Sequence, residues 1–491
     1  MKKIFMLSLV ASSILLAQTD MELLKKRLDE QQKIIEQLMS KVQTLQDKES
    51  IAEKKPEYLP EFNNVENKQK ELIVKEDMPE FNEVKNNANQ SVLQSFSQRA
   101  FTPDISLIVD TSLVSRDKKD SELKHLEVPG VAHGLLSPHS HGDGGEEATY
   151  NAKDGFNLNY AELVISSNVD PYFRLDGVFH FSEEGVEIEE AYFTTTALDY
   201  GFRVKAGKFL SDFGYINSKH HHAWDFNDMP LVFESFLGQH GINEIGAQVQ
   251  WIAPTSTYFM LGAEVLNGDN EAMFGNDSIG EEDDQIDSGV KAPSMFVTYA
   301  KSSYDFGDTT IFGGVSYVYG DSRIDHSDDE EDPHAFVGDS SLYGADLLVT
   351  HFFDSYSALK WQSEVLYRDM DGTQYSLDDS GVVLGSADLE KKQAGLYTQL
   401  VYGINQSWRV GARYDSIFKN DVYKNGSNQN YEDDLNRYSA MLEYQTSEFA
   451  RFRLQYNRNE AMYDEDGRRQ DIDTIMLQAN IAIGAHGAHS F

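Results

Sequence analysis

The residues best equipped for chemistry in this 491-residue chain lie in one connection, 211–242. It reads Ser211-Asp212-Phe213-Gly214-Tyr215-Ile216-Asn217-Ser218-Lys219-His220-His221-His222-Ala223-Trp224-Asp225-Phe226-Asn227-Asp228. His220, His222, Asp225 and Asp228 offer imidazole and carboxylate donors at close spacing, a set that suits Zn2+ and similar transition metals. The alternative is a surface run of histidines that binds nothing. A second group, His125, His133, His139 and His141, occupies a Gly-rich stretch ending Gly142-Asp143-Gly144-Gly145-Glu146-Glu147, and His139 and His141 are its candidate metal donors. Carboxylate runs at 281–284, 328–332 and 464–466 offer hard oxygens for Ca2+ or Mg2+, or bridge ions to anionic lipopolysaccharide. Interleaved apolar and aromatic residues predict that 211–242 packs against a wall.

A second kind of chemistry comes from arginine. Reading the apolar members of each alternating run as lipid-facing turns Arg174, Arg203, Lys205, Arg409, Arg413, Arg451 and Arg453 inward, as candidate pore-lining cations. Such a row can bind phosphate-like anions or form one side of a constriction. It can equally pair with Glu244, Glu264, Glu364 or Asp415. No Ser/His/Asp set or glycine-rich phosphate loop stands out, so the reading is a protein that is not an enzyme. There are no cysteines, which excludes disulfides and thiolate metal sites. The net charge of −39 repels nucleic acid and favours cations.

The elements that position these residues are strands. The final stretch alternates Ile475, Leu477, Ala479, Ile481 and Ile483 with Met476, Gln478, Asn480 and Ala482, a period of two with one apolar row. It ends on Phe491, and in this it resembles the C-terminal signal of bacterial outer-membrane barrels, which implies that the barrel-assembly machinery reads Phe491. From residue 101 onward, short turns such as Asn168-Val169-Asp170-Pro171 and Gly403-Ile404-Asn405-Gln406 alternate with long polar connections near 115–155, 211–242, 268–292, 320–340, 370–391, 419–433 and 460–470. This asymmetry predicts an all-β, transmembrane antiparallel barrel of about sixteen strands over 101–491, with an aqueous channel inside. Residues 1–17 have a signal-peptide layout. Over 18–48, Met21, Leu24, Leu28, Gln31, Ile35, Leu38, Val42 and Leu45 recur at alternating steps of three and four, a periplasmic α-helical coiled coil expected to form a homo-oligomer. Residues 49–100 read as a flexible linker.

Within 156–267 several stretches carry a family likeness: Asn168-Val169-Asp170-Pro171-Tyr172-Phe173-Arg174, Lys205-Ala206-Gly207-Lys208-Phe209, Gly214-Tyr215-Ile216-Asn217, His220-His221-His222-Ala223-Trp224-Asp225-Phe226 and Trp251-Ile252-Ala253-Pro254-Thr255. In these the chain resembles proteobacterial outer-membrane barrels labelled zinc-regulated TonB-dependent receptors, without a plug domain. The coiled coil ahead of a barrel looks like porins with periplasmic extensions. The resemblance implies functional weight for His220, His222, Asp225 and Asp228.

The function expected is a porin-like channel for small solutes in the bacterial outer membrane, among lipid and lipopolysaccharide, with acidic and His-rich loops favouring zinc-type cations. An anion porin using the lumenal arginines is the alternative, as is a non-conducting structural or adhesive barrel. Deleting residues 21–48 should lower the oligomer size of the detergent-solubilised protein, measured by light scattering on a sizing column; an unchanged size removes the coiled-coil claim.

Overall fold

The computed structural model describes residues 103–484, apart from 124–125, 134–149, 184, 271, 281–284, 328–332, 379–380 and 465. The signal peptide, coiled coil and linker, together with His139, His141 and Phe491, lie outside the described residues.

Sixteen long strands form one antiparallel sheet. In chain order they are β1 (Asp104–Arg116), β2 (Gly155–Asn168), β3 (Phe173–Phe181), β4 (Val186–Thr195), β5 (Phe202–Leu210) and β6 (Asn243–Ile252). Then come β7 (Tyr258–Leu266), β8 (Met295–Phe306), β9 (Thr309–His326), β10 (His334–Phe352) and β11 (Ala358–Leu377). The last five are β12 (Val383–Gly403), β13 (Trp408–Lys424), β14 (Leu435–Ser447), β15 (Ala450–Tyr463) and β16 (Arg469–Gly484). β1 pairs with β2 on one side and with β16 on the other, from Ser106↔Gly484 to Arg116↔Thr474, so the sheet closes and leaves no free edge.

Side-chain alternation sets which face meets lipid. In β16, Ile475, Leu477, Ile481 and Ile483 are exposed, whereas Met476, Gln478, Asn480 and Ala482 are buried. The same alternation in β15 exposes Phe452, Leu454 and Tyr456 and buries Arg453, Gln455 and Asn457. A continuous apolar exterior would be expelled by water, so the barrel is a transmembrane one of the outer-membrane kind. Aromatic ladders mark its rims: Tyr343 sits 4.8 Å from Tyr317 and 6.0 Å from Tyr367, and Trp408 lies 4.7 Å from Tyr444.

The tight turns on one side are closed by their own side chains. Asp170 Oδ1 accepts from the Tyr172 and Phe173 amides, Asp354 from Tyr356, and Asn405 from Ser407 and Trp408. On the other side four of the long loops, read as 320–340, 370–391, 419–433 and 460–470, are shorter than expected. β9 pairs with β10 up to His326↔His334, and β11 runs to Leu377 before β12 begins at Val383. Polar residues such as Asp321, Asp339, Asp371 and Glu390 are paired in these ladders. Above the lipid edge both faces of a strand meet water, so the ladder continues while the alternation that reveals it vanishes.

The expectation of a purely aqueous lumen also fails in part. Inward Leu342, Leu366, Val318, Met295 and Ile417 form a core with Phe213, Leu231, Val232, Phe233 and Phe236 of the connection 211–242. That connection leaves β5, the fifth strand, and folds inside the barrel, with a short helix, Leu231–Leu237, against β11, β12 and β13. Replacing outward Leu477 by Arg should cost about 2–4 kcal/mol near the middle of the belt, against about 0–1 kcal/mol for Ile483→Arg at its edge. Urea titration in lipid vesicles, read by the shift between folded and unfolded bands on unheated gels, measures the difference.

Candidate functional site

The connection 211–242 carries polar backbone into a low-dielectric interior, and the barrel wall supplies the partners that backbone needs. Glu364 on β11 accepts the Tyr215 amide at 2.7 Å and the Ile216 amide at 2.9 Å. Glu264 on β7 accepts Ser211 Oγ–H and the Asp212 amide, and Asp415 on β13 accepts the Leu231 amide at 2.9 Å. At Gly214, with φ of +61°, a Cβ would crowd the Glu364 carboxylate that holds this turn, and any other residue there would be strained.

Cations complete the grip. Arg409 Nη1 reaches Asp225 at 3.2 Å, and Lys360 Nζ reaches it at 2.9 Å. Arg413 reaches Asp228 at 2.9 Å, and Arg437 meets both Asp228, at 3.3 Å, and Glu234, at 3.0 Å. Arg453, fully buried, donates to the Trp224 carbonyl, Asn227 Oδ1 and Glu443, while Arg451 donates to the His222 carbonyl. The inward cations Arg409, Arg413, Arg451 and Arg453 therefore hold the connection. Arg174 pairs with Asp176 at 3.0 Å, Arg203 bonds Gln250, and Lys205 lies over the Tyr192 and Phe209 rings. Burial alone would raise the Asp225 pKa, but Lys360 and Arg409 hold it below the usual carboxylate range; Arg413 and Arg437 do the same for Asp228. With folded-state pKa values depressed, this part of the stability is present above the ordinary carboxylate pKa and is lost only as pH falls through the depressed values.

The three consecutive histidines divide. His221 turns to two tyrosines: its Nδ1 lies 3.2 Å from Tyr160 Oη, its Nε2 lies 3.0 Å from the Asn227 carbonyl, and Tyr150 stacks on it at 4.1 Å. Burial lowers its pKa and keeps the ring neutral.

His220 and His222 turn the other way, into a group of carboxylates and a third histidine on β2, β3 and β4. Glu162 and His180 are directly opposed across β2 and β3. Between β3 and β4 the register shifts, with Val178 facing Glu190 and Phe179 facing Ile188, so Glu189 is an extra residue. This bulge turns two consecutive carboxylates, Glu189 and Glu190, into the lumen. His222 Nδ1 lies 3.1 Å from Glu162 Oε2, and His220 Nδ1 lies 2.9 Å from Glu189 Oε2 and 3.7 Å from Glu162 Oε2. His220 Nε2 reaches Glu190 at 2.9 Å; His180 Nε2 reaches Glu189 at 2.7 Å and Glu162 at 3.2 Å. Donor atoms of Glu162, His220 and His222 lie within 4.8 Å of one another, as do those of Glu162, His180 and Glu189. Glu162 Oε1 is buried without a hydrogen-bond partner. Burial alone would lower the His220 pKa, but Glu189 and hydrogen bonds to Glu162, Glu189 and Glu190 raise it well above the ordinary imidazole value.

Of the donors read from sequence, the fold thus gathers His220 and His222 and ties Asp225 and Asp228 to wall cations instead. Glu162, His180, Glu189 and Glu190 escape the sequence reading. His180 had a signal, since Phe179 and Phe181 flank it and period two points it inward. The bulge that presents Glu189 and Glu190 together has no such signature.

No family model matches the chain. A protein of Aquifex aeolicus (strain VF5), described as uncharacterized, is 48% identical over 396 residues, which cover 81% of each chain. Among solved structures, the outer-membrane channel DcaP of Acinetobacter baumannii shares 11% identity with a TM-score of 0.47, over 79% of this chain and 99% of that one. The anion-selective porin from Comamonas acidovorans shares 11% identity with a TM-score of 0.42, over 78% and 99%.

Arg453→Met leaves the Trp224 carbonyl and Asn227 Oδ1 without their donor and Glu443 with Arg409 as its remaining cation, and should cost about 1–3 kcal/mol. Adding Glu443→Gln should return part of that loss. Urea unfolding of the two single variants and the double variant in vesicles measures the coupling, and strict additivity would remove Arg453–Glu443 as the anchor of the connection.

Proposed function

The chain belongs to the same family as the Aquifex aeolicus protein, and we propose that it is an outer-membrane channel whose lumenal His/Glu group binds divalent transition-metal cations of the zinc type on their way through. The single observation that carries this reading is the convergence of His180, His220, His222, Glu162 and Glu189 at ligand spacing, beside an unpartnered carboxylate oxygen. Zinc takes nitrogen and oxygen ligands at about 2.1 Å in a tetrahedron, which separates ligand atoms by about 3.4 Å. The separations of 2.9–3.7 Å between the His220 or His222 nitrogens and the Glu162 and Glu189 oxygens bracket that value.

The imidazole donors favour zinc and similar transition metals, whereas Ca2+ and Mg2+ prefer an all-oxygen set. The His220 side chain is 21% exposed, so an approaching ion meets it first, whereas Glu162 is nearly inaccessible. A net charge of −39 raises the local concentration of cations around the protein. Passage requires that the ion exchange between donors, and two overlapping donor sets that share Glu162 offer such a path. Metal binding must displace the proton that His220 shares with the glutamates, so zinc affinity rises with pH.

Purified protein in a planar bilayer should show a current that micromolar zinc reduces, with the block weakening as pH falls. Zinc binding to the solubilised protein, followed by calorimetry, should weaken by about tenfold or more in His220→Ala or Glu162→Gln. A zinc affinity equal to wild type in both variants would overturn the reading.

A further inference from the structure

On the long-loop side of the inserted connection lies a cavity of about 290 Å3, outside the His/Glu group. One wall is β11 and β12, where Met370 pairs with Lys391 and Arg368 pairs with Gln393, so the two cations project from the same inner face. Leu237, Phe336, Met370 and Leu389 supply apolar lining.

The two cations lack the acids that cations elsewhere in this lumen possess. Arg368 is buried and, among the described residues, is held only by neutral groups: Nε donates to Gln393 Oε1 at 2.6 Å, Nη2 donates to the Val131 carbonyl at 2.7 Å, and the guanidinium lies 4.3 Å over the Phe236 ring. Lys391 feels Glu127 electrostatically but forms no ion pair with it. By contrast, the acids that line the cavity are already engaged: Glu187 with Lys208 at 3.7 Å, Glu234 with Arg437 at 3.0 Å, and Asp269 with the Asn276 side chain at 3.0 Å. Among the described residues, neither Arg368 nor Lys391 has a carboxylate within ion-pairing distance. A buried charge without its counter-charge is costly, and a molecule that brings the counter-charge removes that cost.

We propose that this cavity is a binding site for a small organic anion, a compact apolar body bearing one carboxylate, with its charge at Arg368 and Lys391 and its body against Phe336 and Leu389. The volume admits a molecule of a few to a dozen heavy atoms and excludes an oligosaccharide or a peptide. Arg368 offers a planar donor group suited to carboxylate, and Lys391 adds a point charge beside it. This site stands apart from the metal reading and does not depend on it.

The test is calorimetry on the detergent-solubilised full chain, with benzoate as the probe, benzamide as its neutral counterpart and inorganic phosphate as a bare anion. Benzoate should bind, benzamide should not, and phosphate should fail to displace benzoate. Both Arg368→Gln and Lys391→Met should weaken benzoate by about tenfold or more, the loss of one charge-assisted contact, while zinc binding stays unchanged. Lys391 is half-buried, so its variant keeps the test valid if Arg368→Gln fails to fold. Absence of benzoate binding, equal affinity in Lys391→Met, or displacement by phosphate would overturn the proposal.

Discussion

The structure depends on how a chain segment can enter the interior of a barrel without leaving its polar groups bare. The connection 211–242 brings some thirty amides and several ionised side chains out of water, and each unmatched group would cost a few kcal/mol. The wall answers with charge at chosen heights. Glu264, Glu364 and Asp415 receive backbone N–H groups, and Lys360, Arg409, Arg413, Arg437 and Arg453 receive carboxylates and carbonyls. Apolar packing of Phe213, Phe233 and Phe236 then fills the remaining space. Because removal of either partner strands the other, the wall and the connection are fixed together.

That grip is also what makes the lumenal chemistry exact in position. His220 and His222 stand on a connection with little regular structure, and their placement against β2, β3 and β4 is inherited from anchors at Asp225, Asn227 and Asp228 a few residues later. Tyr160 supports the arrangement from the wall, stacked on His180 at 4.6 Å and in contact with His221. The arginines that a sequence reader would assign to anion conduction are largely consumed in this positioning role. The proposed anion site rests instead on Arg368 and Lys391, which meet no carboxylate of the connection at ion-pairing distance among the described residues.

Much of the fold was legible from period and turn chemistry. Alternation marked the lipid-facing row of β16, and turn residues such as Asp170 and Asn405 marked the tight ends. The connection after the fifth strand stood out by its mix of aromatics and histidines. Where water wets both faces, as at Asp321 or Asp371, the period disappears, and β9 to β12 ran further than the sequence suggested. Met273, Met295 and Phe274 entered the interior core although a polar lumen was expected, because the connection brings its own apolar surface inside.

The sequence by itself determined that the chain is an outer-membrane-type barrel, that its inward rows carry arginine, and that the connection after the fifth strand carries three adjacent histidines. These follow from residue type and local spacing, which physical chemistry reads without knowing distant neighbours. Only the tertiary structure decided which donors meet. Glu162, Glu189 and Glu190 lie 30 to 60 positions from His220 and His222, brought there by strand register and one bulge, and His180 joins the group through Glu162 and Glu189. Asp225 and Asp228 lie within a few residues of those histidines, yet they turn to arginines from the opposite part of the chain. In a barrel, closure sets neighbours around the lumen, and sequence distance does not.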